Sequence, residues 1–282
     1  MLAFATSTLA QTPKVTTPET TPTGFPEAET FVYRDLKPEP VRIHVFKPTD
    51  WKAGDRRPVF LWFFGGGWTT GTPVNAAGWG QWAAARGWVG IAPDYRTNGR
   101  FGTSPLESVA DSRAALRWVQ DHAAELGIDP QRIVVGGNSA GSHVALWTAI
   151  AHTPPGSDAR EAPTFKPVAL VLTSVISDTT KETGYTPWRF GDHTTALSPI
   201  HQLDAKMPPM LVIHGDADAM VPQRQSIALR DKLLATGNEI EFISVAGGGH
   251  NFGGEIPEWK ANMGKVFADF LSKHGVLAVR AK

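Results

Sequence analysis

The chain has 282 residues, with 27 Lys and Arg set against 27 Asp and Glu, 28 Gly, 22 Pro and no Cys. The balanced charge provides no basic stripe for nucleic acid and no polybasic patch for a membrane surface. Without cysteine there are no disulfides, no thiolate metal site and no cysteine nucleophile. The length fits one large α/β domain.

No run of about 20 apolar residues is present to span a bilayer. The first ten residues, MLAFATSTLA, are small and apolar, and Thr8 and Ala10 precede Gln11 where a signal peptidase takes small residues. A positive n-region is missing. The expectation is a signal peptide trimmed at its start, with export to the periplasm or beyond. The alternative is an unstructured tail on a cytoplasmic protein. Residues 12–27 are rich in Thr and Pro and read as a linker. Residues 1–29 are therefore expected to stand apart from one domain over 30–282.

Phe31 to Arg34 and Val41 to Phe46 alternate apolar and polar side chains, as half-buried antiparallel strands do. From there the pattern changes to short continuous apolar runs. These are Pro58 to Phe64, Trp88 to Ala92, Arg132 to Val135, Val168 to Leu172, Met210 to Ile213 and Ile240 to Val245. Runs apolar on both faces suit a parallel sheet covered on both sides. Helical patterns lie between them. Ser104-Pro105-Leu106-Glu107 is a capping box with Pro at the first helical position, and the spacing predicts a helix that Gly127 closes. A second is predicted from Pro222 to near Gly237, and a third from about Glu258 to Lys273. This alternation implies a doubly wound or related open sheet, whose ligands bind beyond the carboxyl ends of the strands.

The motifs fall at those ends. Gly137-Asn138-Ser139-Ala140-Gly141 stands between a strand run and a helical stretch. A serine hydroxyl is a weak nucleophile, so it must be exposed beside a base and near donors for an oxyanion. A sharp strand-to-helix turn exposes Ser139 and aims the Ala140 N–H at the same point, provided the flanking residues are small. Gly65-Gly66-Gly67-Trp68 follows the Pro58 to Phe64 run, and its bare N–H groups can approach a substrate closely. The oxyanion donors are expected from Gly66, Gly67 and Ala140. Of nine His, His250 alone lies in the last strand-to-helix loop, Gly247-Gly248-Gly249-His250-Asn251-Phe252. His143 and His214 are expected to pack or bond locally. The orienting acid is Asp218 or Asp216, in His214-Gly215-Asp216-Ala217-Asp218. Asp218 is preferred because it lies free in the loop ahead of Pro222, while Asp216 sits tight to the strand and shapes the turn. No His, Asp or Glu cluster shows metal-ligand spacing, and no metal or cofactor is expected.

The resulting order Ser139, Asp218, His250 is that of α/β-hydrolases, not that of chymotrypsin-like or subtilisin-like enzymes. With the Gly-Gly-Gly-Trp loop, Asp94-Tyr95-Arg96 and the His-Gly-Asp-Ala-Asp turn, the chain resembles the carboxylesterases of the α/β-hydrolase superfamily over about residues 30 to 275. The nearest branch is that of acetyl, acetylxylan and feruloyl esterases. The resemblance implies a mostly parallel central sheet of about eight strands with helices on both faces, and metal-free hydrolysis through an acyl-enzyme. The family often carries His before the glycines, where this chain has Phe64. That departure bears on how the oxyanion loop is braced.

Residues 153–206 are expected as a short lid-like insert, with Tyr185, Trp188 and Phe190 as aromatic candidates. Trp68, Trp188 and Phe252 are the expected substrate-pocket residues, while Trp62, Trp118 and Trp147 are expected in the core. A small or carbohydrate-linked ester with a short acyl or hydroxycinnamoyl group is the expected substrate. The competing readings are a peptidase or amidase of the prolyl-oligopeptidase type, and a binding protein that kept the fold without the chemistry.

Overall fold

The computed structural model describes residues 21–276. The expected signal peptide and most of the expected linker lie outside the described residues. The strands are β1 (Glu29–Arg34), β2 (Val41–Phe46), β3 (Arg57–Phe63), β4 (Val89–Pro93), β5 (Ile128–Asn138), β6 (Ala169–Thr173), β7 (Met210–Gly215) and β8 (Ile240–Val245). They form one eight-stranded sheet in the order β1-β2-β4-β3-β5-β6-β7-β8. The β1–β2 and β2–β4 pairs are antiparallel and the rest parallel. β4 and β6 are buried along their whole length, which explains their unbroken apolar runs.

The helices are α1 (Val74–Ala84), α2 (Asn98–Phe101), α3 (Pro105–Asp121), α4 (Ala123–Leu126), α5 (Ala140–Trp147), α6 (Arg224–Ala235), α7 (Phe252–Glu255) and α8 (Pro257–Lys273), and they cover both faces of the sheet. On one face Phe60 and Trp62 of β3 meet Trp79 and Trp82 of α1 and Phe267 of α8. The capping box at Ser104 and Glu107 forms as its sequence predicts. Gly127 closes α4 and not α3: the longer helix breaks at His122, and a separate short turn carries the chain to Gly127 in the left-handed conformation.

Two further expectations change. Residues 21–27, expected as linker, lie against the sheet: Phe25 packs edge-on to His44 at 4.8 Å, and Thr21 Oγ1 donates to Glu39 Oε1 at 3.2 Å. The expected insert 153–206 contains β6, so the irregular chain falls into two segments, one before and one after that strand. The second, after Thr173, is built from short 3₁₀ turns at Pro187–Arg189, Gly191–His193 and Pro199–His201. α1 is not among the helices expected from the sequence. A Cβ on Gly80 would stand 2.4 Å from the Phe46 ring. Gly80 is what allows the helix to lie so close to the sheet.

Candidate active site

β3, β5, β7 and β8 deliver the site from their carboxyl ends. Ser139 follows β5 with φ 54° and ψ −124°, a conformation L-residues rarely hold. The two flanking glycines are required by contact. A Cβ on Gly137 would lie 2.4 Å from the Gly141 carbonyl oxygen, and one on Gly141 would lie 2.3 Å from the carbonyl oxygens of Phe63 and Phe64. The elbow is therefore wedged against the end of β3, and the strain at Ser139 is held by packing. Its side chain opens on a cavity of about 810 Å³ that His250 also lines.

Asp218 and His250 are joined. His250 Nδ1 donates to Asp218 Oδ2 at 2.8 Å. The other oxygen, Oδ1, accepts from the amides of Val221 at 2.8 Å and Met220 at 2.9 Å. Burial alone would raise the Asp218 carboxyl, but the bonds from His250 and from these amides outweigh it and hold the carboxyl below its usual range. The ring is also anchored from its backbone, because Ser174 Oγ donates to the His250 carbonyl at 3.2 Å. Asp216 is exposed and accepts the Gly247 amide at 2.7 Å, so it shapes the turn and does not reach the imidazole.

His214 is a member of this cluster that sequence reasoning set aside as a local bond. It is fully buried, and its Nε2 faces Asp218 Oδ2 at 3.1 Å and the Val221 carbonyl at 2.9 Å. Its Nδ1 meets Ser226 Oγ at 2.5 Å. Two acceptors at Nε2 require the proton there, so Ser226 donates to Nδ1. Burial lowers the His214 pKa, against the opposing pull of the Val221 carbonyl and Asp218. The neutral Nε2–H tautomer satisfies every partner.

The glycine loop expected to supply the oxyanion donors follows β3. Gly66 and Gly67 line the cavity, and the N–H groups of Gly66, Gly67 and Ala140 donate to no other described residue. The brace that the family assigns to His before these glycines comes here from Tyr95. Its hydroxyl donates to the Phe64 carbonyl at 2.8 Å, and its ring stacks on the Phe64 ring at 4.2 Å. Arg96 instead grips Asp111 in a two-pronged pair at 2.8 and 2.7 Å, away from the cavity lining.

The expected pocket residues divide. Phe252 lines the cavity. Trp68 does not: it is 1% exposed and packs edge-on to His143 at 5.2 Å and Phe190 at 5.0 Å, fixing the oxyanion loop from behind. Trp188 is 74% exposed and lies outside the lining. A 3₁₀ turn reverses direction within three residues, so Trp188 points to solvent while its neighbour Arg189 enters the cavity. Trp62 is buried in the core as expected, at 2% exposure, and it also lines the cavity together with Trp79 and Met263. No sequence pattern marked Trp79 or Met263, which come from helices flanking β3.

Fold and site together define an α/β-hydrolase built around an elbow serine. The BD-FAE family model matches residues 44–186 and 178–233, and the chain belongs to this family, in the carboxylesterase branch of the superfamily. Among curated relatives, esterase LipQ of Mycobacterium tuberculosis is 28% identical over 81% of this chain and 58% of its own length. Carboxylesterase NlhH of the same organism is 36% identical over 48% of this chain and 40% of its own. The chain spans about half the length of the curated relatives it matches. Among solved structures, esterase 2 of Thermogutta terrifontis phosphoramylated by tabun superposes with a TM-score of 0.82 at 34% identity, over 90% of this chain and 97% of that one. The same esterase has been solved with propionate and with butyrate bound.

Proposed function

We propose that the protein hydrolyses carboxylic esters with short acyl or hydroxycinnamoyl groups, through an acyl-enzyme on Ser139. The observation that carries this reading is the 2.8 Å bond from His250 Nδ1 to Asp218, in a cavity shared with the strained elbow serine. With Nδ1 committed as donor, Nε2 of His250 is left as the base. It takes the Ser139 proton as Oγ attacks the ester carbonyl. The N–H groups of Gly66, Gly67 and Ala140 receive the oxyanion, where one such donor is worth about 3 kcal/mol of barrier. The imidazolium, held by Asp218, returns the proton to the departing alkoxide. Water then repeats the cycle and releases the acid.

The acyl-group reading is supported by the walls of the cavity. Trp62, Trp79, Phe252 and Met263 supply apolar and aromatic surface for a short chain or a single ring. The propionate- and butyrate-bound forms of the Thermogutta esterase point to the same size range.

The test is hydrolysis of 4-nitrophenyl acetate, butyrate and octanoate, with the feruloyl ester, by wild type and Ser139→Ala in parallel. The expected result is turnover of the short and feruloyl esters, weak turnover of octanoate, and a loss of about 10⁵-fold or more in the variant. Equal activity in both proteins would overturn the assignment of Ser139.

A further inference from the structure

Ester cleavage alone does not account for one side chain in the cavity. The lining residues include no carboxylate, and their one permanent cation is Arg189. It arrives on the 3₁₀ turn Pro187–Arg189 and is half-buried. Its Nη1 donates to Thr69 Oγ1, which in turn donates to the Gly67 carbonyl at 3.2 Å. Its Nη2 stands 4.0 Å from where a Cβ on Gly67 would lie, so the guanidinium sits beside the oxyanion loop. No acidic side chain pairs with it among the described residues.

Steadying Thr69 needs one neutral donor. A guanidinium brings five N–H groups and a fixed charge, and partial burial without a counter-charge costs free energy. Such a fork matches a carboxylate, which would engage two parallel N–H donors and supply the missing charge. Tyr185 lines the same cavity, and its phenol is raised by burial, so it remains a hydroxyl donor at neutral pH. The Asp218 charge adds to that rise, while Arg189 opposes it.

We propose that Arg189, with Tyr185 beside it, forms an anion subsite, and that the preferred ester carries a second, free carboxylate. This rests on the esterase reading above. The carboxylate belongs either to the acyl chain, as in a half-ester of a dicarboxylic acid, or to the alcohol, as in an acidic sugar or a hydroxybenzoate. Both present the same group to the guanidinium.

Two matched pairs of esters separate the sources. 4-Nitrophenyl hydrogen glutarate against 4-nitrophenyl pentanoate places the charge on the acyl side. 4-Acetoxybenzoate against its methyl ester places it on the alcohol side. In wild type, one pair is expected to favour the anionic member by about tenfold or more in kcat/KM, carried by KM. Arg189→Gln should abolish that preference, and Arg189→Lys should retain part of it. No anionic preference in either pair would overturn the proposal. So would an equal loss on both members of each pair in Arg189→Gln, the pattern of a residue that only braces the oxyanion loop. Calorimetric binding of the same esters to Ser139→Ala, with and without Arg189→Gln, reads the subsite without turnover. Tighter binding of the anionic member, lost in the double variant, supports the subsite, and equal binding overturns it. Failure of wild type to cleave any of the four esters would instead count against the esterase reading, and the binding result would still decide the role of Arg189.

Discussion

Four donors converge on the Asp218 carboxylate: two amides on Oδ1, and the imidazoles of His250 and His214 on Oδ2. The two amides belong to the turn after β7, His214 to β7 itself and His250 to the loop after β8, so the orientation of His250 is tied to that turn and to both strands. Asp218→Asn should lower kcat by about 10³- to 10⁴-fold, because the amide can present an N–H where the imidazole needs an acceptor. Asp216→Asn should change kcat by less than about threefold, since its one bond serves the turn at Gly247. His214→Ala removes a hydrogen bond to a charged group, worth about 1.5–3 kcal/mol. It is expected to lower kcat by about 10- to 100-fold with KM nearly unchanged. Steady-state kinetics of the three variants on one short ester checks all three outcomes. A larger loss from Asp216→Asn than from Asp218→Asn would reverse the choice of carboxylate.

At the scale of elements, the glycine loop proposed to hold the oxyanion is tied to the sheet through Tyr95, which follows β4. Tyr95→Phe keeps the ring stack on Phe64 and leaves the Phe64 carbonyl without its donor. An orphaned buried acceptor costs about 1–3 kcal/mol. The variant should lose stability in that range by urea unfolding and lose kcat as the glycines shift, with the cavity still formed. Unaltered stability would show that the stack alone holds the loop. The loop itself was legible as Gly-Gly-Gly-Trp after an apolar run, and the elbow as Gly-x-Ser-x-Gly between strand and helix, because in both the close approach admits only glycine. α3 was legible from its capping box. α1 was not, because Gly80, whose missing Cβ lets the helix approach Phe46, carries no helical signal of its own. The segment after β6 was least legible. Its 3₁₀ turns have no period long enough to assign a face, so the exposed Trp188 was expected in the pocket and Arg189 was overlooked. The apolar wall was hidden for a related reason: Trp62, Trp79 and Met263 come from three separate elements, and only the packing of α1 and α8 over β3 brings them together.

Across the whole molecule, two histidines outside the proposed chemistry are locked neutral in the fold. His44 on β2 is fully buried, with Nδ1 against Thr30 Oγ1 at 2.9 Å and Nε2 without a partner among the described residues. Burial, aided by the Arg42 charge, lowers its pKa from 6.5 to about 4. His143 on α5 is fully buried beneath the elbow, and its Nε2 donates to the Leu197 carbonyl at 2.9 Å. Burial lowers its pKa to about 4 as well, against the opposing effect of that carbonyl. Both groups have folded pKa values below their unfolded ones. Between pH 6.5 and about 4 the unfolded chain therefore takes up protons that the folded chain refuses, and stability falls as the pH is lowered through that window. Each histidine contributes up to about one proton to the slope, or about 1.4 kcal/mol per pH unit where the difference is complete. Asp218 loses its own contribution only at lower pH, because its carboxyl lies below the usual range. Urea unfolding of wild type at pH 7 and pH 5 should show a drop, and His44→Gln, which cannot titrate, should show a smaller one. Because His44 lies on β2, away from the cavity lining, that variant also separates two causes of acid inactivation. If activity lost near pH 5 comes from unfolding, His44→Gln restores part of it. If it arises within the active site itself, the two proteins share one pH–rate profile while their unfolding curves differ. Identical unfolding curves at both pH values would mean that His44 is not held neutral by its burial.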